Sequence, residues 1–260
     1  MPLKLGSQDV TLKLGSQDVT AYLGAESVSA FDPTTISGLV AYWDAQTTSS
    51  WDVDTGVSEW RDLSGNDHTL TQAVGNNQPA LSFINGKRAF DFDGSNDYLE
   101  AASTVLTATS SDSWTSLGVT QIANSEQGRI WTNESSGAGY GIISATTIYR
   151  VMNGGALGGS SATKADDVPQ VWTVTSEGSG GLSQQNWRLD GVASSPASYS
   201  GAVNAASQNL NVGRAPGNNN AGSLLDGLVG AILIYDRLLT AEEIGTLEQW
   251  LGGRWGVTVA

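Results

Sequence analysis

The chain has 260 residues, 39% of them hydrophobic, 15% charged and 32 of them glycine, with no cysteine and one histidine. Ordinary globular chains carry about 25% charged residues and about 7% glycine, so this composition reads as all-β with many turns, large enough for one domain plus a short appendage. Twelve Lys and Arg against 26 Asp and Glu give a formal charge of −14, which sets aside nucleic acid and anionic membranes as partners; the missing cysteines remove disulfides, thiolate nucleophiles and Cys-based zinc sites.

The first thirty residues repeat themselves. Leu3-Lys4-Leu5-Gly6-Ser7-Gln8-Asp9-Val10-Thr11 recurs identically at 12–20 and in degenerate form at 21–29, a period of nine. Each copy sets a Leu before a Gly-centred turn and a Val five residues on: Leu5 and Val10, Leu14 and Val19, Leu23 and Val28. One unit therefore reads as two very short extended pieces around a turn. Such units bury too little apolar surface to offset backbone ordering at about 1 to 2 kcal/mol per residue, unless they add to another sheet. Residues 1–30 are read as a docking arm, the alternative being a disordered leader. Gln8 and Asp9 stand where a secretory signal would be apolar, so no leader of that kind is expected.

Asp32-Pro33 marks a boundary, because the residue before a proline is biased to extended conformations. Residues 31–260 form the second predicted unit. Short apolar runs at 39–43, 89–92, 117–122, 141–143, 171–174, 186–189, 210–212 and 228–235 are separated by Gly, Asn, Ser and Asp clusters, a spacing that predicts a β-sandwich. In Ala89-Phe90-Asp91-Phe92-Asp93 the two Phe share one face and the carboxylates the other. The longest apolar stretch, 228–235, has eight residues, far short of the roughly 18 to 20 a membrane span needs. One helix is predicted near the end. Thr240 is its N-cap, Glu243 completes a capping box, Leu239 and Ile244 form a hydrophobic staple, Ile244, Leu247, Leu251 and Trp255 share one face, and Gly252-Gly253 stops the helix or makes it fray.

These residues carry a family likeness. Gly38-Leu39-Val40-Ala41-Tyr42-Trp43-Asp44-Ala45, then Val57-Ser58-Glu59-Trp60-Arg61-Asp62-Leu63-Ser64-Gly65-Asn66, then Phe92-Asp93-Gly94-Ser95-Asn96-Asp97-Tyr98-Leu99 resemble the first half of laminin-G-like domains with the concanavalin A-like jelly-roll fold. Residues 230–244, from Gly230-Ala231-Ile232 to Glu242-Glu243-Ile244, resemble that family's closing strand and helix. The resemblance covers about residues 36–256. The Lys-Leu-Gly-Ser repeats of the arm resemble N-terminal segments of structural proteins of tailed bacteriophages. Together they imply an all-β, concanavalin A-like jelly-roll β-sandwich with one C-terminal helix and an extended N-terminal arm, carried on a virion at the tail or capsid surface.

Catalytic vocabulary is sparse. Laminarinase-type relatives resemble one another in a Glu-x-Asp-x-x-Glu strand, which is absent here; Glu59/Asp62 and Asp91/Asp93/Asp97 are the nearest acidic clusters. His68, with Asp67 and Ser64, reads as a loop histidine, since no nucleophile elbow is present. The glycine-rich stretches at 137–141 and 154–159 follow no clear strand and open no helix, so they read as turns and not phosphate loops. The expectation is a protein that is not an enzyme. The resemblance implies one Ca²⁺ at the sandwich rim, with Asp93 and Asp97 as ligands; the competing reading is a turn in which Asp and Asn bond to their own backbone. Sugars stack on aromatic rings beside amides and carboxylates. On that ground Trp131, Asn133, Tyr140, Tyr149, Asn153 and Trp187 are the candidate ligand-binding residues, the alternative for each being a place in the core.

The function expected is that of a virion structural protein, a tail or fibre component whose jelly roll touches surface glycan, with other virion proteins as partners through the arm and a homo-oligomeric assembly. A capsid decoration protein with a purely structural role is the first alternative, a secreted glycanase the second.

Overall fold

The computed structural model describes residues 3–5, 8–10, 12–14, 17–19, 31–123, 128–134, 139–145, 148–153, 156–179, 182–194, 197–199, 203–217 and 223–260. The chain divides into two units, Met1–Asp32 and Pro33–Ala260. In the first, each identical repeat is one hairpin. Leu3–Leu5 pairs antiparallel with Gln8–Val10, placing Leu3 opposite Val10 and Leu5 opposite Gln8, and Leu12–Leu14 pairs with Gln17–Val19 in the same register, Leu14 opposite Gln17 and Val19 opposite Leu12. Leu23 and Val28 lie outside the described residues.

The second unit is the expected β-sandwich. Its first sheet runs, in spatial order, Val192–Ala193, Leu182–Leu189, Gln170–Ser179, Trp114–Gln121, Asp226–Tyr235, Lys87–Asp93 and Ala80–Ile84, with Leu39–Asp44 pairing to Asp226–Tyr235 and Ala197–Tyr199 to Leu182–Leu189. Its second sheet runs Ala156–Thr163, Ile148–Asn153, Tyr140–Ala145, Gly128–Thr132, Asn211–Val212, Leu99–Ala101, Leu70–Thr71, Val57–Trp60 and Trp51–Val53. All the pairings are antiparallel, as expected of a chain whose strands are joined by short Gly- and Asn-rich turns.

The inner faces of the two sheets enclose an aromatic core. Trp60 meets Phe90 edge-on at 4.6 Å, Trp114 meets Trp131 at 6.1 Å and Tyr140 at 5.1 Å, and Tyr149 stacks on Trp187 at 6.0 Å. Seven of the nine tryptophans are fully buried, so the aromatic richness of the composition is spent on packing. Phe90 and Phe92 point inward as the alternation of their strand predicts, with Asp91 and Asp93 on the other face.

The helix Ala241–Trp255 covers the outer face of the first sheet, over Gln170–Ser179 and Trp114–Gln121. Thr240 and Glu243 form the predicted capping box, and Ile244, Leu247, Leu251 and Trp255 are all buried. Its end is a correction: Gly252 and Gly253 lie inside the helix, and Gly256, with φ at 65°, ends it. Gly252 instead makes room for the returning C-terminal segment, since a Cβ there would lie 2.7 Å from the Val257 carbonyl oxygen. Glu248, 1% exposed, is held by Thr173 at 2.8 Å and by Arg188 through three contacts of 2.9 to 3.1 Å.

Candidate functional site

The six residues singled out for stacking do not form a surface site. Trp131, Asn133, Tyr140, Tyr149 and Trp187 are all buried, and a ring enclosed by other side chains has no face left for a sugar. Trp131 donates its indole N–H to Ser116 at 3.1 Å, and the Tyr149 phenol lies 3.0 Å from the Thr120 hydroxyl, where burial pushes its pKa up. Asn133 is a loop clamp: its amide donates to the carbonyls of Thr104 and Leu106, both at 2.6 Å, and its oxygen accepts from the Tyr140 N–H at 3.2 Å. Asn153 lies opposite Tyr140 at the end of Ile148–Asn153, its side chain outside the described part. The expectation for the five buried residues is corrected accordingly: they belong to the core and its loop supports.

The Asp93 to Asp97 segment takes the turn reading. Asp93 Oδ1 accepts the N–H groups of Ser95 at 2.8 Å, Asn96 at 3.1 Å and Asp97 at 3.4 Å, while Asp97 Oδ2 accepts from the Asp93 N–H at 3.2 Å. Gly94, with φ at 69°, closes the turn against Asp226, where a side chain would collide. Burial, then the Asp93 charge, raises the Asp97 carboxyl to about 6, and the same two causes raise Asp91. Among the described residues no three His, Cys, Asp or Glu side chains converge on a common point, and the Asp93 oxygen that faces the loop already receives three amides. This donor set does not fit a Ca²⁺, which takes six to eight oxygens. Asp97 is closed off from solvent, so despite its raised pKa it cannot reach a substrate as a general acid.

His68 is likewise structural. Asp62 gathers its loop by accepting from Tyr42 N–H at 3.0 Å, Ser64 N–H at 2.8 Å, the Ser64 hydroxyl at 2.7 Å and His68 N–H at 3.0 Å. The His68 ring meets Ser103 at 2.8 Å, not an acid and a nucleophile in line.

What the second sheet does offer is a groove of about 410 Å³ on its outer face, lined by Thr71, Gln72, Val74, Tyr98, Glu100 and Asn209 among others. It is a shallow depression, wide open to solvent, and a second hollow, beside Val40, Asp112 and Asp236, holds about 280 Å³. Strand pairing builds the groove: Glu100 stands opposite both Thr71 and Asn211, so the three form one row across three strands, with Thr71 exposed, Glu100 half-buried and Asn211 buried. Glu100 is held rigidly, accepting from Arg214 at 2.9 Å and from Asn209 at 3.2 Å. Arg214 also donates to Asn211 at 2.8 Å and lies 3.3 Å from the centre of the Tyr98 ring. Val74, 54% exposed, supplies an apolar wall. The groove thus joins a preorganised carboxylate and amide to the exposed Thr71 and Val74. Leu99 and Ala101 face inward, so the alternation of Tyr98-Leu99-Glu100-Ala101 was a legible signal that Tyr98 and Glu100 share the outer face.

No protein-family model matches the chain, and no curated protein does. Among solved structures it is similar to the binding domain of Paraclostridial Mosquitocidal Protein 1, at 12% identity and a TM-score of 0.57 over 84% of this chain and 52% of that one. It is similar to the receptor binding domain of botulinum neurotoxin D, at 11% identity and a TM-score of 0.56 over 84% and 53%. A third likeness is to Trypanosoma rangeli sialidase, at 16% identity and a TM-score of 0.53 over 84% and 33%. The chain spans about half the length of these toxin structures and a third of the sialidase. These likenesses bear on the fold, a β-sandwich of the kind found in toxin binding domains.

Proposed function

We propose that this chain is a glycan-binding module that acts by recognition without catalysis, and that its N-terminal arm displays it on a larger particle, in the finer reading the virion of a tailed phage. The observation that carries the binding reading is the groove around Glu100: fixed acceptors and donors beside an apolar wall suit the alternating hydroxyls and C–H faces of a sugar, and side chains already held in place lose little entropy on binding. Its one carboxylate is committed to Arg214, and Glu59, one strand beyond Thr71, is committed to Arg61 at 2.6 Å. Neither stands as the free acid or base that glycoside cleavage requires. The toxin structures, described as binding domains, support a surface-recognition role on this kind of sandwich. The virion reading rests on the arm's repeats, which cannot form a core alone and suit addition to a partner's sheet. Weak single sites on many copies would gain avidity of about 10² to 10⁴.

The test is electrophoresis of the full chain through gels containing soluble polysaccharides. One glycan class retards the wild type, and Val74→Arg and Asn209→Ala abolish the retardation while melting as the wild type does. Retardation unchanged in both variants refutes the groove, and release of reducing ends refutes the non-catalytic reading.

A further inference from the structure

Strand Ala80–Ile84 ends the first sheet, and among the described residues no strand pairs with its outer side. Its pairing with Lys87–Asp93 starts at Ile84 opposite Lys87, across Asn85-Gly86, whose φ values of 49° and 73° belong to a type I′ turn. In a hairpin closed by two residues the flanking pair exchanges both main-chain hydrogen bonds, and bonded and non-bonded pairs then alternate. Ile84, Ser82 and Ala80 therefore bond inward to Lys87, Ala89 and Asp91, and Leu81 and Phe83 turn their N–H and C=O groups to the free edge. The same two residues expose apolar side chains, Leu81 at 37% and Phe83 at 56%. Exposed edges are ordinarily guarded by charges, proline or a bulge. Ala-Leu-Ser-Phe-Ile carries none of these.

We propose that this edge pairs antiparallel with the same edge of a second copy of the chain, about a two-fold axis at Ser82. That register pairs both outward residues at once, whereas an axis at Leu81 or at Phe83 would pair only one of them within the strand. Leu81 then stands opposite Phe83 of the partner subunit and Phe83 opposite Leu81 of the partner subunit, so the outward main-chain groups meet as two bonded pairs and four hydrogen bonds close the gap. Apolar side chains meet across both pairs, and Ser82 faces Ser82 of the partner subunit as a non-bonded pair. A shift by one residue would set the outward groups of one copy against inward-bonded groups of the other. Arg88, whose guanidinium lies 5.4 Å from the Trp51 ring and 6.0 Å from Phe83, backs the patch. One five-residue edge is far smaller than a standard interface of about 1,600 Å², so the dimer is weak. With −14 on each copy, salt strengthens it by screening the repulsion. The proposal is independent of the glycan reading.

The chain has no cysteine, so Ser82→Cys reports only on contact between copies. A non-bonded antiparallel pair brings Cα atoms to about 4.5 Å, within the range a disulfide bridges. Mild oxidation of full-length Ser82→Cys yields a covalent dimer. Adding Phe83→Lys or Leu81→Lys lowers the yield at least tenfold, and Val192→Cys, on the opposite edge of the sheet and 61% exposed, stays monomeric. A monomeric Ser82→Cys, equal linking by Val192→Cys, or yields unchanged by both lysines would overturn the pairing; association through the arm instead would show as dimers insensitive to either lysine.

Discussion

Trp187→Ala separates a core role from a ligand role at the position where the two readings conflict most. The ring is fully buried, stacked on Tyr149 at an interplanar angle of 17° and tilted against Trp172 at 6.3 Å. A tryptophan buries roughly 150 to 250 Å², which at about 25 cal/mol per Å² is about 4 to 6 kcal/mol as an upper bound. Measured Trp→Ala losses of about 3 to 5 kcal/mol include the cavity, so about 4 kcal/mol is expected here. For a domain of this size each kcal/mol lowers Tm by about 2 to 4 °C, a fall of about 8 to 16 °C. Urea unfolding followed by circular dichroism reads the loss as a lower midpoint at unchanged slope. A variant that unfolds at the wild-type midpoint would refute the packing argument, whatever it did to binding.

Other consequences are as direct. Glu248→Ala leaves Arg188 and the Thr173 hydroxyl without their partner and costs about 2 to 3 kcal/mol in urea unfolding, below the value for fully buried pairs because the Arg188 side chain is 33% exposed; the double replacement Arg188→Leu with Glu248→Leu recovers most of it. Asp97 has its folded-state pKa raised from 3.8 to about 6, so its contribution to stability is fully present below about pH 4 and is lost as pH rises through 6. Asp97→Asn, which keeps the acceptor for the Asp93 N–H, is therefore more stable than the wild type at pH 7, by about 1 to 2 kcal/mol after screening at the exposed Asp93, and indistinguishable from it at pH 3.5. Thr240→Ala removes the helix cap and costs about 1 kcal/mol in thermal melts. Millimolar Ca²⁺ leaves Tm unchanged, and a rise of several degrees would contradict the turn reading of Asp93 and Asp97.

The sequence carried the fold because its local signals agreed with the packing: Phe90 and Phe92 alternate with carboxylates, and Thr240 with Glu243 caps a helix whose apolar stripe is buried. That the aromatic candidates belong to the core was hidden for a physical reason. Trp114–Gln121 and Asp226–Tyr235 lie between the inner core and the helix and are buried on both faces along most of their length, so alternation carries no information there. At Trp131 the register shifts between Arg129 and Trp131, and Ile130 and Trp131 are both buried in succession. Asn133 looked like a ligand residue because a loop clamp and a sugar contact use the same amide. Strand Ala80–Ile84 was missed although Asn85-Gly86 announces a hairpin, because its five residues were not among the apolar runs. Arg214, far from Tyr98 in the chain, reaches the groove only through the tertiary fold.

The most direct test of the central claim is a glycan-array screen of the full chain multimerised on beads, run beside Val74→Arg. The account predicts binding of the wild type to one glycan class and silence of the variant. Silence of the folded wild type across the array would contradict the glycan reading and leave the sandwich a structural part of the particle.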